Sequence, residues 1–140
     1  MVLKDRHDLQ ISTSSETARQ AYVEAVDAIL SATGNVESAL DKCINADPNF
    51  ALAYSAKARI LQLKGKMPDA KQSAEKAVEL AANATDRERQ HTQIFQLLTS
   101  GQEPAGLELI RKHVNEHPTD AFALSTRMQC FRTNRVQWAC

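Results

Sequence analysis

Arg87-Glu88-Arg89-Gln90-His91 is the polar run in this chain best equipped for chemistry. Glu88 and His91 stand three apart, so on a helix they share a face, and Phe95 follows one turn later. A carboxylate beside an imidazole is the start of a general base with its orienting group. The same pair reads as a polar contact point in a groove. The structural reading is a helix start, with acids where the helix dipole favours them and a histidine bridging neighbouring helices. That reading carries more weight, because a lone pair lacks a nucleophile or a metal. His113 and His117 fall near the end of another helical stretch, where a cation suits the dipole. Their arrangement with His91 gives no zinc pattern. The chain has no Gly-rich phosphate loop, no Cys-x-x-Cys and no His-Glu-x-x-His. The expectation is therefore no catalytic residue, no metal and no cofactor. An enzyme using Glu88 and His91 stays as a remote alternative.

The elements that must position these residues are helical. Tyr54, Ala58 and Leu61 form one stripe, and Ala70, Ala74 and Ala77 form another, each spaced i, i+4, i+7 on either side of Gly65. Small residues on facing helices let the backbones approach. Lys64-Gly65-Lys66 is the turn between them, and its lysines, with Lys71, read as solvated charge. The pattern predicts an antiparallel pair that needs neighbours.

Residues 1–12 carry no helical period and read as an extended lead-in that includes His7. Thr13-Ser-Ser-Glu16 is a candidate capping box for helix one, which bears Tyr22, Ala25, Val26, Ile29 and Leu30 and ends near Ala32. Thr33-Gly34-Asn35 is a turn. Helix two carries Val36, Ala39, Leu40, Cys43 and Ile44 and stops at Asp47-Pro48. Asp47 then caps helix three, with Pro48 in its first turn. Helix four spans about Pro68 to Ala82. Thr85-Asp-Arg-Glu88 is a second capping box and opens helix five. Ser100-Gly101-Gln102 leads to helix six, which ends at His117-Pro118, and Thr119 caps helix seven. The tail, residues 135–140, gives no signal.

Strong helix formers dominate, Gly and Pro number only four each, and 43% of the 140 residues are hydrophobic, so one all-α domain is expected. Lys+Arg and Asp+Glu both count 17, which argues against nucleic acid or an anionic membrane as the default partner. No apolar run approaches the roughly 20 residues of a membrane span, and the amino terminus lacks a signal core. The 3 cysteines, Cys43, Cys130 and Cys140, form neither a disulfide framework nor a metal motif; Cys43 takes the place of a small core residue. A cytoplasmic setting fits.

Helix, glycine turn, helix, proline recurs, with landmarks Gly34 and Pro48, Gly65 and Ala82, Gly101 and Pro118. The region from Asp47 to Ala84 resembles the tetratricopeptide repeat, of about 34 residues: Tyr54, Ala58, Leu61, Gly65, Ala70, Ala74 and Ala77 fall in its signature slots, and Ala82 replaces its closing proline. The next unit keeps Ile94, Leu97, Gly101, Gly106, Ile110 and Pro118 but has Gln90 and His113 where an aromatic and an alanine are usual. The first unit is degenerate. More narrowly, the segments STSSETARQAY, DPNFALAYSAKA, ATDRERQH and EHPTDAFAL resemble the amino-terminal part of the tetratricopeptide repeat protein 38-like family. The resemblance implies antiparallel helix pairs stacked as a right-handed superhelix of about seven helices. Units would run over 13–48, 49–84 and 85–118, with a half unit at 119–134. Members of that family are longer, so a shortened product, a frameshift or a fragment is implied.

In tetratricopeptide folds the first helix of each pair lines a concave groove. Carried over, the groove here would take Leu52, Ser55, Arg59 and Gln62; Glu88, His91, Phe95 and Leu98; and Phe122, Ser125, Gln129 and Arg132. Packing of Phe95 and Leu98 against neighbouring helices is the alternative. The set lacks the paired Lys/Asn pattern that clamps a peptide carboxylate. The leading expectation is a scaffold binding a protein or peptide along this face. The second is a homo-oligomer formed through an uncapped last helix, with Phe122, Met128, Phe131, Val136 and Trp138 at the contact.

Overall fold

The structure, a computed structural model, describes residues 3–128, and these form an all-α fold of helix pairs packed side by side. The helices are α1 (Glu16–Ser31), α2 (Val36–Ala46), α3 (Ala51–Leu63), α4 (Met67–Leu80), α5 (Asp86–Thr99), α6 (Glu103–Glu116) and α7 (residues 121–128). A 3-10 turn, Ala81–Asn83, follows α4. Short connections fold α1 against α2, α3 against α4 and α5 against α6. Between pairs, α2 meets α3, and α5 meets both α3 and α4. No helix among the described residues is long and apolar enough to cross a membrane.

The first helix of each unit starts at 16, 51, 86 and 121, each 35 residues after the last. The period is kept in the first unit because α1 is long, 16 residues, while α2 is short, 11. The predicted alanine seam is buried: Ala58 of α3 and Ala70, Ala74 and Ala77 of α4 have no exposed surface. At its turn, Gly65 takes φ 77°, the left-handed conformation; Gly65 N–H bonds to Gln62 O and Lys66 N–H to Leu61 O. These two hydrogen bonds satisfy free carbonyls of the helix end. After α1 the same role falls to Ala32, at φ 55°.

Three predicted helix starts shift. Helix one is capped by Ser15, whose Oγ accepts from Ala18 N–H, rather than by a box from Thr13 to Glu16. Thr13 is taken elsewhere: its hydroxyl donates to Asp47 Oδ2 at 2.6 Å. Asp47 does not cap helix three, because its carboxylate receives Thr13 and Asn49 N–H, and its carbonyl receives Phe50 N–H. That turn delays α3 to Ala51. Helix seven begins after Asp120, whose Oδ1 accepts from Ala123 N–H at 3.3 Å, so Asp120 rather than Thr119 holds its first turn. The box at Thr85 and Glu88 forms as predicted.

The lead-in is a hairpin. Leu3–Lys4 (β1) and Gln10–Ile11 (β2) pair antiparallel, and Ile11 enters the core formed by Tyr22, Phe50, Leu52 and Phe95. Tyr22 and Phe50 meet edge to face at 5.2 Å. Cys43 is buried as expected, its thiol donating to Ala18 O, and burial pushes its pKa up to about 12. A second cluster joins Ile94, Leu98 and Ile110 between α5 and α6.

Candidate functional site

The polar run at the start of α5 becomes the centre of a buried network that sequence spacing could not assemble. The four residues Arg87, Glu88, Gln90 and His91 each take a partner from another part of the chain. The focus is Asp120, at the start of α7. Its Oδ2 receives Arg87 Nη1–H at 3.0 Å and faces His113 Nε2 at 2.8 Å and His91 Nδ1 at 3.3 Å. Asp120 is 4% exposed, and His91 and His113 have no exposed surface. Thus α5, α6 and α7 meet on one carboxylate oxygen.

The surroundings fix these groups. Arg87 Nη2–H also donates to Gln10 O at 2.8 Å, and His113 Nδ1 lies 2.6 Å from Gln90 Oε1. The His91 ring stacks on Phe122 with centroids 5.3 Å apart and 18° between planes. Its Nε2 is buried without a hydrogen-bond partner. Burial alone would raise the Asp120 carboxyl. The facing His91, the hydrogen bonds of His113 and His91, and the Arg87 guanidinium outweigh that and hold it well below the usual value. His91 moves the other way from an ordinary histidine carrying a carboxylate partner: burial lowers it, and the Asp120 carboxylate offsets only part of that.

Glu88 has a separate task. Its carboxylate accepts Ser12 N–H at 2.7 Å, the Ser12 hydroxyl, and Thr85 N–H at 3.1 Å. It therefore closes the capping box of α5 and ties the hairpin to it. Glu88 and His91 do not converge on one point: Glu88 faces residue 12, and His91 faces Asp120.

The positions carried over as a groove are largely interior. Leu52, Ser55, Glu88, His91 and Phe95 have no exposed surface, Arg59 shows 4%, Leu98 5% and Phe122 3%. Ser125 and Gln62 are half-buried, and Gln62 accepts from Arg59 Nη1–H at 2.6 Å. Phe122, assigned to both the groove and the self-association surface, is stacked against His91 and Phe95. The physical reason is coverage: the residue 10–13 segment and α7 lie against the face of α5 that the pattern left open. Gln129, Phe131, Arg132, Val136 and Trp138 lie outside the described residues. Met128 is exposed.

A surface recess lies between α2 and α3. Leu40, Ile60 and Leu61 line it, with Glu37, Asp41, Lys57 and Lys66 around them, and its volume is about 170 Å³.

Sequence reasoning singles out Glu88 and His91 and places Gln90 in the same polar run, but it misses Asp120. Asp120 is hidden because Thr119 also fits a cap. The 35-residue interval from Ser15 through Phe50 and Thr85 reaches Asp120 and would have picked it out. No family model matches the chain, and no solved structure matches it.

Proposed function

We propose that this chain is a protein-interaction scaffold built from tetratricopeptide-like helix pairs, acting in the cytoplasm. The carrying observation is the repeat itself: helix pairs at a constant interval, with the ionisable cluster sealed inside and an apolar recess with charged edges left open between α2 and α3. A sealed cluster cannot reach a substrate, whereas an open recess of this chemistry suits a short segment of a partner protein. The apolar floor of Leu40, Ile60 and Leu61 supplies burial, and the mixed charges at the edge select the partner. This relocates the binding surface from the expected inner groove to the side of α2 and α3.

The test reverses the edge charges. Asp41→Lys combined with Lys57→Glu leaves the core untouched, so circular dichroism stays that of the parent. Cross-linking of the full chain to proteins in native lysate, followed by binding assays on each purified partner, should show affinity weakened about tenfold, or roughly 1.4 kcal/mol. Lys112→Glu on α6 is the control and keeps binding. Partners that bind both variants equally, or none at all, would overturn the reading.

Self-association is the second reading, and Met128 favours it. This α7 side chain is 60% exposed, more than any other large hydrophobic among the described residues. An exposed apolar side chain on a repeat helix is commonly covered by a neighbouring surface. Light scattering at micromolar concentration should then give a dimer that Met128→Lys dissociates. A strictly monomeric parent chain removes this reading.

A further inference from the structure

We propose that His91, His113 and Asp120 bind a divalent transition-metal ion, with zinc the best match, which pins α5, α6 and α7 together. Each residue offers one ligand atom, and the three atoms lie within 4.8 Å of one another. His113 is held for the role: its Nδ1 lies 2.6 Å from the Gln90 side-chain amide, and its Nε2 stands 2.8 Å from Asp120 Oδ2. Either a proton or a metal ion between Nε2 and Oδ2 satisfies that contact. A carbonyl-type oxygen on the far nitrogen is the usual way a metal-binding histidine is oriented.

The spacing can admit the ion. Zinc–nitrogen and zinc–oxygen bonds of about 2.1 Å in a tetrahedron set ligand atoms about 3.4 Å apart. His91 Nδ1 to Asp120 Oδ2 is 3.3 Å, and the His113 edge, at 2.8 Å, needs to open by about 0.6 Å to reach the zinc edge. Two imidazoles and a carboxylate form a borderline donor set suited to zinc, cobalt or nickel over magnesium or calcium. Arg87 opposes the ion, since its guanidinium shares the same oxygen at 3.0 Å. It keeps Gln10 O as a partner when that share is given up. Because the site is sealed, loading accompanies folding or local opening.

The experiment uses the full chain carrying a histidine-free tag. It is refolded from urea with and without Zn²⁺ or Co²⁺, then freed of loose metal by gel filtration. Elemental analysis should find about one zinc per chain, Co²⁺ should give the visible bands of a tetrahedral site, and the melting temperature should rise with metal. His113→Gln should lose the metal and the shift while keeping its helical spectrum. Arg87→Gln should bind metal more tightly than the parent, the reverse of what a purely structural salt bridge predicts. A folded parent chain with no retained metal, no cobalt bands and no thermal shift overturns the proposal and assigns the bridge to a proton. If His113→Gln fails to fold, the parent's metal content and the Arg87→Gln affinity still decide the matter.

Discussion

Asp120→Ala lowers the unfolding free energy by about 3–5 kcal/mol, the cost of removing one member of a buried charge pair. The carboxylate neutralises Arg87, which is itself buried, and it is the shared partner of His91 and His113. Without it, a guanidinium remains in the interior with only Gln10 O to satisfy it. The substitution also removes the acceptor for Ala123 N–H, so α7 loses its first-turn cap. Asp120→Asn separates the two effects. It retains an amide oxygen for the cap and should recover about 1 kcal/mol of the loss. Urea titration followed by circular dichroism measures both. A loss below about 1 kcal/mol for the alanine variant would mean that α7 does not close on the Arg87 cluster.

Phe95→Ala is expected to cost about 3–5 kcal/mol as well, through a different mechanism. Phe95 has no exposed surface and packs with centroids 5.3 Å from both Phe122 and His91. Truncation removes the ring's burial and leaves a void where α3, α5 and α7 converge. Since small domains are stable by only about 5–15 kcal/mol, such a variant stands near the limit of folding. The same substitution distinguishes two roles for the residue. A Phe95 that docked a partner from an open groove would change stability by about 0.5 kcal/mol or less. Thermal and urea unfolding of the isolated chain therefore decide between core and docking surface without any partner in hand.

The helices and their order were legible because they are local. Periodic stripes such as Ala70, Ala74 and Ala77, the break at Gly65, and the capping box from Thr85 to Glu88 each involve residues within a turn or two of one another. Errors gathered where a side chain had a competing long-range partner. Asp47 is an excellent cap in isolation, yet Thr13, 34 residues away, shares its carboxylate, and the chain turns before α3 starts. The hairpin was invisible for a related reason: strands of two residues carry no period, and Ile11 is held by a core that exists only after folding.

For the candidate site the division is sharper. Residue types and helix registers, set by the order of amino acids alone, placed Glu88 and His91 together on α5 and put His113 near the end of α6. Which of them meet was decided by packing. The partners of Asp120 lie 7, 29 and 33 positions away in the chain, and Glu88 reaches back 76 to Ser12. Helical periodicity reports which face a side chain occupies, not what the next layer brings against it. Desolvation and hydrogen bonding across that layer turned a presumed open groove into a sealed, charged junction.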